Sequence, residues 1–355
     1  MIVFLVFFLL LVFFLWKGSF EAYEVGKNEE YRFLYYTDDA DFFSDGKLSL
    51  ESLYKAHSTE FPLAWLHQYY AIHFDQCEAL YKDRKSLPFP ASYVEDLYEV
   101  WKRLEAPYKT KKRILVWYPR DRVERFTFPI LVKSRVMVQE GNRGSILMKL
   151  NTVCHYDRML TVMKKKAKEA SFRQKIPQVV WRGAPTGSGF KNNIPPRSVS
   201  RETLLENHCH SNSPLINVGL VVKKPNHAVW KKYEKEEMSL ETMLQYKYLL
   251  SVEGNDVATN LKWILASNSL VVMPRPQISS WLIEDALLPY VHYLPVRDDF
   301  SDLESQIIWA EKHTKKCEKM IANAHRYLEP FLDEAKEMKL QMNMLKYYLD
   351  HFRWE

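Results

Sequence analysis

The 355-residue sequence predicts an α/β protein, two α/β lobes behind a membrane-anchor helix. Three observations lead there. From Gln178 onward short apolar runs alternate with Gly/Ser/Asn loops and helix-length segments, as in a parallel sheet with helices on both faces. Between Ile114 and Leu150 further short apolar runs end in turn residues, as buried strands do. Residues Met1 to Trp16 are apolar without interruption, and Lys17 ends the run. The composition is ordinary for a globular chain, with 47% hydrophobic and 26% charged residues. A net charge of +6 is too mild to mark a nucleic-acid protein. Aromatic residues reach 14%, enough to fill cores and to line a concave site.

The elements follow in order. As a helix the apolar start rises roughly 24 Å, slightly short of the roughly 30 Å hydrocarbon core. It has neither a basic leading region nor an A-x-A-like site, which favours a retained single-pass anchor over residues 1–17. A cleaved signal peptide is the rival reading. Lys17, Lys27 and the terminal amine leave the anchor's orientation open, and an endoplasmic reticulum or Golgi lumen is expected for the rest of the chain if the source is eukaryotic. There Cys77, Cys154, Cys209 and Cys317, which form no CxxC spacing, can make up to two bridges.

Residues 18–172 read as an N-terminal lobe. Leu63, Leu66, Tyr70 and Phe74, then Val94, Leu97, Tyr98 and Trp101, recur at helical spacing. Strands are expected at Ile114–Tyr118, Ile130–Val132, Val136–Val138 and Ser145–Leu150, and a helix at Tyr156–Phe172. Residues 173–355 read as a second lobe. Its strands are expected at Gln178–Trp181, Leu215–Val222, Tyr248–Val252 and Leu270–Met273. Its helices are expected at Arg201–His208, Ser239–Tyr246 and Val257–Ser267. A capping box, Ser301 to Glu304, opens a helix face repeating at 303, 307, 310, 314, 317, 321, 324 and 328, one continuous helix before Pro330.

Three stretches carry chemistry. In Val179–Gly189 a hydrophobic strand delivers Arg182 to its carboxyl edge, followed at once by Gly183, Thr186 and Gly187. Ligands of doubly wound sheets bind beyond such edges, and a guanidinium there can grip phosphate oxygens bidentately. A solvent turn with an incidental arginine fits the spacing equally well. In the second stretch a strand ends in Gly254-Asn255-Asp256 before a helix whose free N–H groups suit a phosphate. Asp256 also fits as a plain N-cap. In the third, Met273 through Val296, the carboxylate of Glu284 can take ribose hydroxyls or lie on a helix surface.

Other chemistries lack their residues. No HExxH, DxD-type or H-x-E with CxxC metal box is present, nor a GxSxG elbow or kinase motif set. Asp38-Asp39 and Asp298-Asp299 do not form a metal site by spacing, and His208-Cys209-His210 is a weak metal signal.

Together VVWRGAPTGSG, YKYLLSVEGNDVATNLKWILASNSLVV and SWLIEDALLPYVHYLPV resemble glycosyltransferase family 90. This is the family of capsule xylosyltransferases, protein O-glucosyltransferases and lipopolysaccharide-core glycosyltransferases. FPILVKSR and ILMKLN are most similar to the lipopolysaccharide-type branch. The resemblance implies a GT-B-like fold of two Rossmann-like lobes with an interlobe cleft. It implies inverting, metal-independent transfer of a glucose- or xylose-type sugar from a UDP-sugar, a substrate rather than a cofactor, to a glycan or glycoprotein hydroxyl. Arg182 then matches the diphosphate-binding arginine, and Gly254, Asn255, Asp256 and Thr259 match the nucleotide loop. Glu284 lies where a ribose contact is expected. Asn260 stands where the protein O-glucosyltransferase branch has a second arginine, for which Lys262 can substitute as a point charge. Asp121, after ILVWY, matches the general base, with Asp157 as the fallback. Lys133 and Arg135 can face the acceptor. A catalytically silent glycan- or nucleotide-binding module of the same fold is the alternative.

Overall fold

The computed structural model describes residues 27–37, 71–121, 123, 126, 128–137, 144–187, 198–223 and 230–354. The chain divides into two compact units. One comprises His155–Gln277 and Glu284–Pro330; the other comprises Asn28–Cys154, Ile278–Ile283 and Phe331–Glu355. The division thus falls at residue 154 rather than at 172, and the C-terminal segment joins the earlier part of the chain.

The later-starting unit is built on a five-stranded, wholly parallel sheet. Its strands are β6 (Ile176–Gly183), β7 (Ile216–Leu220), β8 (Tyr246–Leu250), β9 (Leu270–Met273) and β11 (Leu294–Pro295), ordered β11-β9-β8-β6-β7. Val179, Val218, Tyr248, Leu250 and Val272 are completely buried, as expected for strands covered on both faces. Each such side chain contributes about 1.5–3 kcal/mol of hydrophobic stabilisation. From β6 the chain passes to β7 on one side, and the next strand, β8, lies on the other. The order therefore reverses between β6 and β8, and the loops leaving their carboxyl ends flank the reversal.

Helix α5 (Arg201–His208) begins where Ser200 accepts the N–H of Thr203, and α6 (Leu240–Met243) where Ser239 accepts that of Thr242. Helix α7 spans only Leu261–Leu265, so the expected helix from Val257 starts late. Its N-cap is Asn260, whose Nδ2 donates to Leu250 O at 2.9 Å and whose Oδ1 accepts from Ser251 Oγ at 3.1 Å. The expected continuous C-terminal helix is two, α8 (Leu303–Lys312) and α9 (Thr314–Leu328). At His313 the backbone leaves helical geometry, with φ −125° and ψ 41°. The expected face survives the break, since Leu303, Ile307, Ala310, Cys317, Ile321, Ala324 and Leu328 are all buried. The capping box does not form. Asp302 is the N-cap, Ser301 turns to Asp299, and Glu304 accepts from Ser213 Oγ.

The other unit holds α1 (Glu29–Thr37), α2 (Cys77–Lys82), α3 (Ala91–Trp101) and a sheet ordered β1-β2-β3-β5. Strand β1 (Ala71–His73) is antiparallel to β2 (Ile114–Tyr118), while β2, β3 (Ile130–Val132) and β5 (Ser145–Leu147) run parallel. Strand β4 covers Ser134–Val136 and pairs antiparallel with β10 (Ile278–Ser280). Helix α4 (Thr152–Lys165) follows β5, with its first residues in this unit and the rest from His155 in the other, and α10 (Glu334–His351) completes the unit. The packing of α10 explains why it belongs here. Tyr348 is fully buried, donating to Pro129 O and accepting from the N–H of Val116, both at 3.1 Å. Glu337 is the hub of a buried cluster, 2.6 Å from Arg32 Nη2 and 3.4 Å from Lys149 Nζ. Burial pulls the Lys149 ammonium down to about 8 despite the opposing Glu337.

Among the described residues no helix is long and apolar enough to cross a membrane. That finding corrects the single-pass anchor and the lumen-facing placement; residues 1–17 lie outside the described residues. All four cysteines are free, so neither bridge forms.

Two histidines of the five-stranded unit are held neutral. Burial, with Arg326 adding to it, lowers His292 to about 4. Burial also lowers His325 to about 4, against the carbonyl of Ser267 and together with Lys166. The partners set its tautomer: Nε2–H donates to Ser267 O at 2.7 Å, and Nδ1 accepts from Lys166 Nζ at 2.6 Å. Both folded pKa values lie below the unfolded one, so the unfolded chain binds more protons between about 6.5 and about 4. Stability is expected to fall as pH is lowered through that window, measured as the urea midpoint. His325→Gln should weaken the pH dependence; an identical slope in that variant contradicts a neutral buried ring.

Candidate active site

In the five-stranded unit the sheet's reversal point is closed by two glycine loops. Gly183 ends β6, and the Trp181 ring lies where a side chain on it would stand, 2.3 Å from the ideal Cβ position. Beyond it the loop reaches Gly187, whose φ of +104° disfavours any side chain. A Cβ on Gly187 would lie 2.9 Å from Gly254 O, and one on Gly254 would lie 2.8 Å from Thr186 Oγ1. The two loops are therefore in backbone contact. The N–H of Gly187 donates to Asn255 Oδ1 at 3.0 Å, which locks them in register.

Between the loops stands an arginine that the motif reading passed over. Arg201, the first residue of α5, donates from Nη1 to Ala184 O at 3.0 Å and Thr186 Oγ1 at 2.6 Å, and from Nη2 and Nε to Val252 O at 3.0 and 3.3 Å. Its guanidinium carbon is 5.5 Å from the Trp181 ring centroid. One sequence signal pointed to it. A cation in a helix's first turn opposes the macrodipole, so something other than helix stability holds it there.

Arg182 is placed differently from Arg201. Of its five N–H donors, Nε donates to Glu236 O at 2.9 Å and Nη1 to Trp181 O and Asn217 O at 2.9 and 3.0 Å. Nη2 donates to Asn217 Oδ1 at 2.9 Å. Its charge is spread over carbonyl oxygens at the β7 edge, and burial lowers its pKa.

Lys262 and Glu284 are brought together, but in the interior. Their side chains are 0% and 1% exposed, with Nζ 2.7 Å from Oε1. Glu284 opens a short 3-10 turn, Glu284–Ala286, rather than an α-helix. Asp256 is buried, Thr259 is exposed in the turn before α7, and Asn260 braces the end of β8.

The other unit gathers polar residues at the carboxyl edge of β2, β3 and β5. Asp121 lies just beyond β2, Lys133 directly after β3 and Asn151 beyond β5. Three donors converge on Asp121 Oδ1: Tyr93 Oη from α3 at 2.5 Å, Asn151 Nδ2 at 3.3 Å, and Lys133 Nζ. Burial pushes the Asp121 carboxyl up, but Lys133, Tyr93 and Asn151 together outweigh it and hold the pKa below the usual carboxylate value. The aspartate side chain is nonetheless 46% exposed, while that of Lys133 is 2% exposed. Lys133 is thus buried behind Asp121, and Arg135 is buried on Ser145 O and Tyr35 O. Neither faces an acceptor as expected. Asp157 sits on the exposed side of α4.

Among the described residues no three His, Cys, Asp or Glu side chains group where they could hold a metal ion.

A family model described as Glycosyl transferase family 90 matches residues 148–354, more than half of the chain. The chain belongs to glycosyl transferase family 90. Within the curated relatives it is 39% identical to "O-glucosyltransferase LpsA" of Dichelobacter nodosus over 224 residues, 62% of this chain and 62% of that one. It is 23% identical to "Uncharacterized protein 179R" of Invertebrate iridescent virus 6 over 239 residues, 60% of this chain and 20% of that protein. It is 32% identical to "Protein O-glucosyltransferase 2" of Danio rerio over 97 residues, 27% of this chain and 19% of that one. The chain therefore spans less than two thirds of the length of each of these relatives. The family 90 match includes both glycine loops, Arg201 and Asn151, whereas Asp121 and Lys133 precede it.

Removing one member of a buried ion pair leaves the other uncompensated, at a cost of about 3–5 kcal/mol. Lys262→Met is expected to lower unfolding free energy by that order, and Lys262→Met/Glu284→Gln to regain most of it. Equal losses in the two variants would show that charge pairing is not what holds this site.

Proposed function

We propose that this chain carries out inverting, metal-independent transfer of a glucose- or xylose-type sugar from a UDP-sugar to a glycan or protein hydroxyl. Kinship with family 90 and with two proteins named O-glucosyltransferases supports sugar transfer. Asp121 is the observation that carries the inverting reading. It is an ionised, half-exposed carboxylate beyond the carboxyl end of a parallel strand, where a base can meet an acceptor.

In this reading Asp121 takes the acceptor's hydroxyl proton as the acceptor oxygen bonds to the anomeric carbon. The bond from that carbon to the phosphate oxygen breaks, and its electron pair leaves with UDP. Attack opposite the leaving group inverts the anomeric centre. The unit built on the five-stranded sheet takes the nucleotide sugar at the two glycine loops, where small residues let backbone approach a ligand closely. Charge on the leaving diphosphate is met there by Arg201, fixed in place by the loops themselves. Arg182 braces the sheet edge. The two units are, in this reading, the two Rossmann-like lobes of a GT-B-type enzyme.

Asp121→Asn keeps an acceptor oxygen for Lys133 and Tyr93 while removing the base. Transfer from UDP-glucose, followed as UDP release with excess chelator present, is expected to fall by at least about 100-fold at a temperature where circular dichroism shows the variant still folded. Turnover close to that of the unaltered protein would end the general-base role. Loss of the unaltered protein's own activity to chelator would end metal independence.

Arg201→Ala is expected to raise the Kd for UDP at least about tenfold. Arg182→Ala should instead lower the melting temperature and leave UDP affinity within about twofold. The opposite pattern, by calorimetry, would return the diphosphate to Arg182.

A further inference from the structure

We infer that Lys133 and Asn151 are positioning residues that saturate one oxygen of Asp121 and thereby assign proton transfer to the other, Oδ2. The inference rests on the reading of Asp121 as base and deepens it. Its starting point is a left-handed turn. Asn151 is buried with φ +58°, in the region that asparagine enters more readily than other side chains do. Left-handed backbone at a non-glycine residue persists where its surroundings over-determine it, and here they do. Ser92 Oγ donates to Asn151 Oδ1 at 2.9 Å. Directly after it, the N–H and Oγ1 of Thr152 donate to the Asp96 carboxylate at 2.9 and 2.5 Å, fixing the start of α4.

That conformation turns the side-chain amide of Asn151 toward Asp121 Oδ1. Lys133 arrives from directly beyond β3 and Tyr93 from α3, so among the described residues the groups that bond the carboxylate are one ammonium, one phenol and one amide. All three bond the same oxygen. A carboxylate oxygen carrying three donors has little electron density left for a proton, whereas Oδ2 keeps its lone pairs. The donors also fix the carboxylate plane, and so the direction in which Oδ2 presents them. Placement matters because a misplacement of about 1 Å costs a reaction roughly 100-fold. After transfer, the acceptor's proton sits on Oδ2 of a neutral carboxyl beside Lys133. The ammonium favours its return to water, which restores the ionised base for the next turnover.

Two variants and two readouts test this. Lys133→Met removes the charge, and Asn151→Ala removes a neutral donor, so the second serves if the first fails to fold. The carboxyl carbon of Asp121, assigned by its absence in Asp121→Asn, is titrated by ¹³C NMR without any substrate. Lys133→Met should move that titration up by about one pH unit or more, and Asn151→Ala should move it up by less. With UDP-glucose as donor, kcat should fall about 10- to 100-fold in each variant with KM for UDP-glucose unchanged. The acid limb of the pH–rate profile should shift with the NMR titration. A carboxyl titration unmoved in both variants overturns the inference. Full activity in Asp121→Asn overturns the base itself, whatever the titration shows. An inactive Asp121→Asn beside fully active Lys133→Met and Asn151→Ala overturns only the positioning roles.

Discussion

Parallel strands buried on both faces leave little room along their length for a working polar side chain. In both units side chains such as Leu115, Val116, Trp117, Val179 and Val272 have no contact with water. Backbone amides consume their hydrogen bonds in the ladders. Polar chemistry is therefore pushed to the points where strands stop. Asp121, Lys133 and Asn151 follow three neighbouring strands of one sheet, and the Gly187 and Gly254 loops follow two neighbouring strands of the other. A sheet edge of this kind aligns residues distant in sequence without any dedicated scaffold.

The same constraint explains what could be read in advance. Ile114–Tyr118, Ile130–Val132, Arg201–His208 and Leu270–Met273 stand where periodicity and turn residues put them, because apolar strand runs and a serine N-cap are local signals. The glycine loops were also legible, since close backbone approach demands residues without side chains. Boundaries that depend on tertiary contacts were not. Helix α7 starts late because Asn260 turns its side chain back onto the end of β8. The break at His313 has no glycine or proline to announce it, and its apolar repeat runs straight across.

Long charged side chains were the least legible. The motif around Arg182 says that a guanidinium is present, but not which way several rotatable bonds carry it. In the fold it turns to the carbonyls of a neighbouring strand, and Arg201 holds the loops. Lys262 and Glu284, read as ligands for a nucleotide, neutralise each other in the interior. Spacing shows where a charge is anchored; its burial and its partners decide what it does. A short side chain such as that of Asp121 stays near its backbone, so its place in the fold follows more directly from its place in the sequence.

One consequence of the chain path concerns its birth. Most of the five-stranded unit is a continuous stretch, 155–330, so it can assemble as that stretch leaves the ribosome. Residues 28–154 of the unit carrying Asp121 are made before that stretch, yet the unit lacks Glu337 and Tyr348 until the helix 334–351 has been made. Until then Arg32 and Lys149 lack the carboxylate between them, and Tyr348 does not yet bridge Val116 and Pro129. Closing contacts across some three hundred residues is entropically costly, and such a half-built sheet is the kind of nascent species that sticks to others. The unit carrying Asp121 thus stays open to such sticking until its last helix is made, after the stretch that builds the five-stranded sheet.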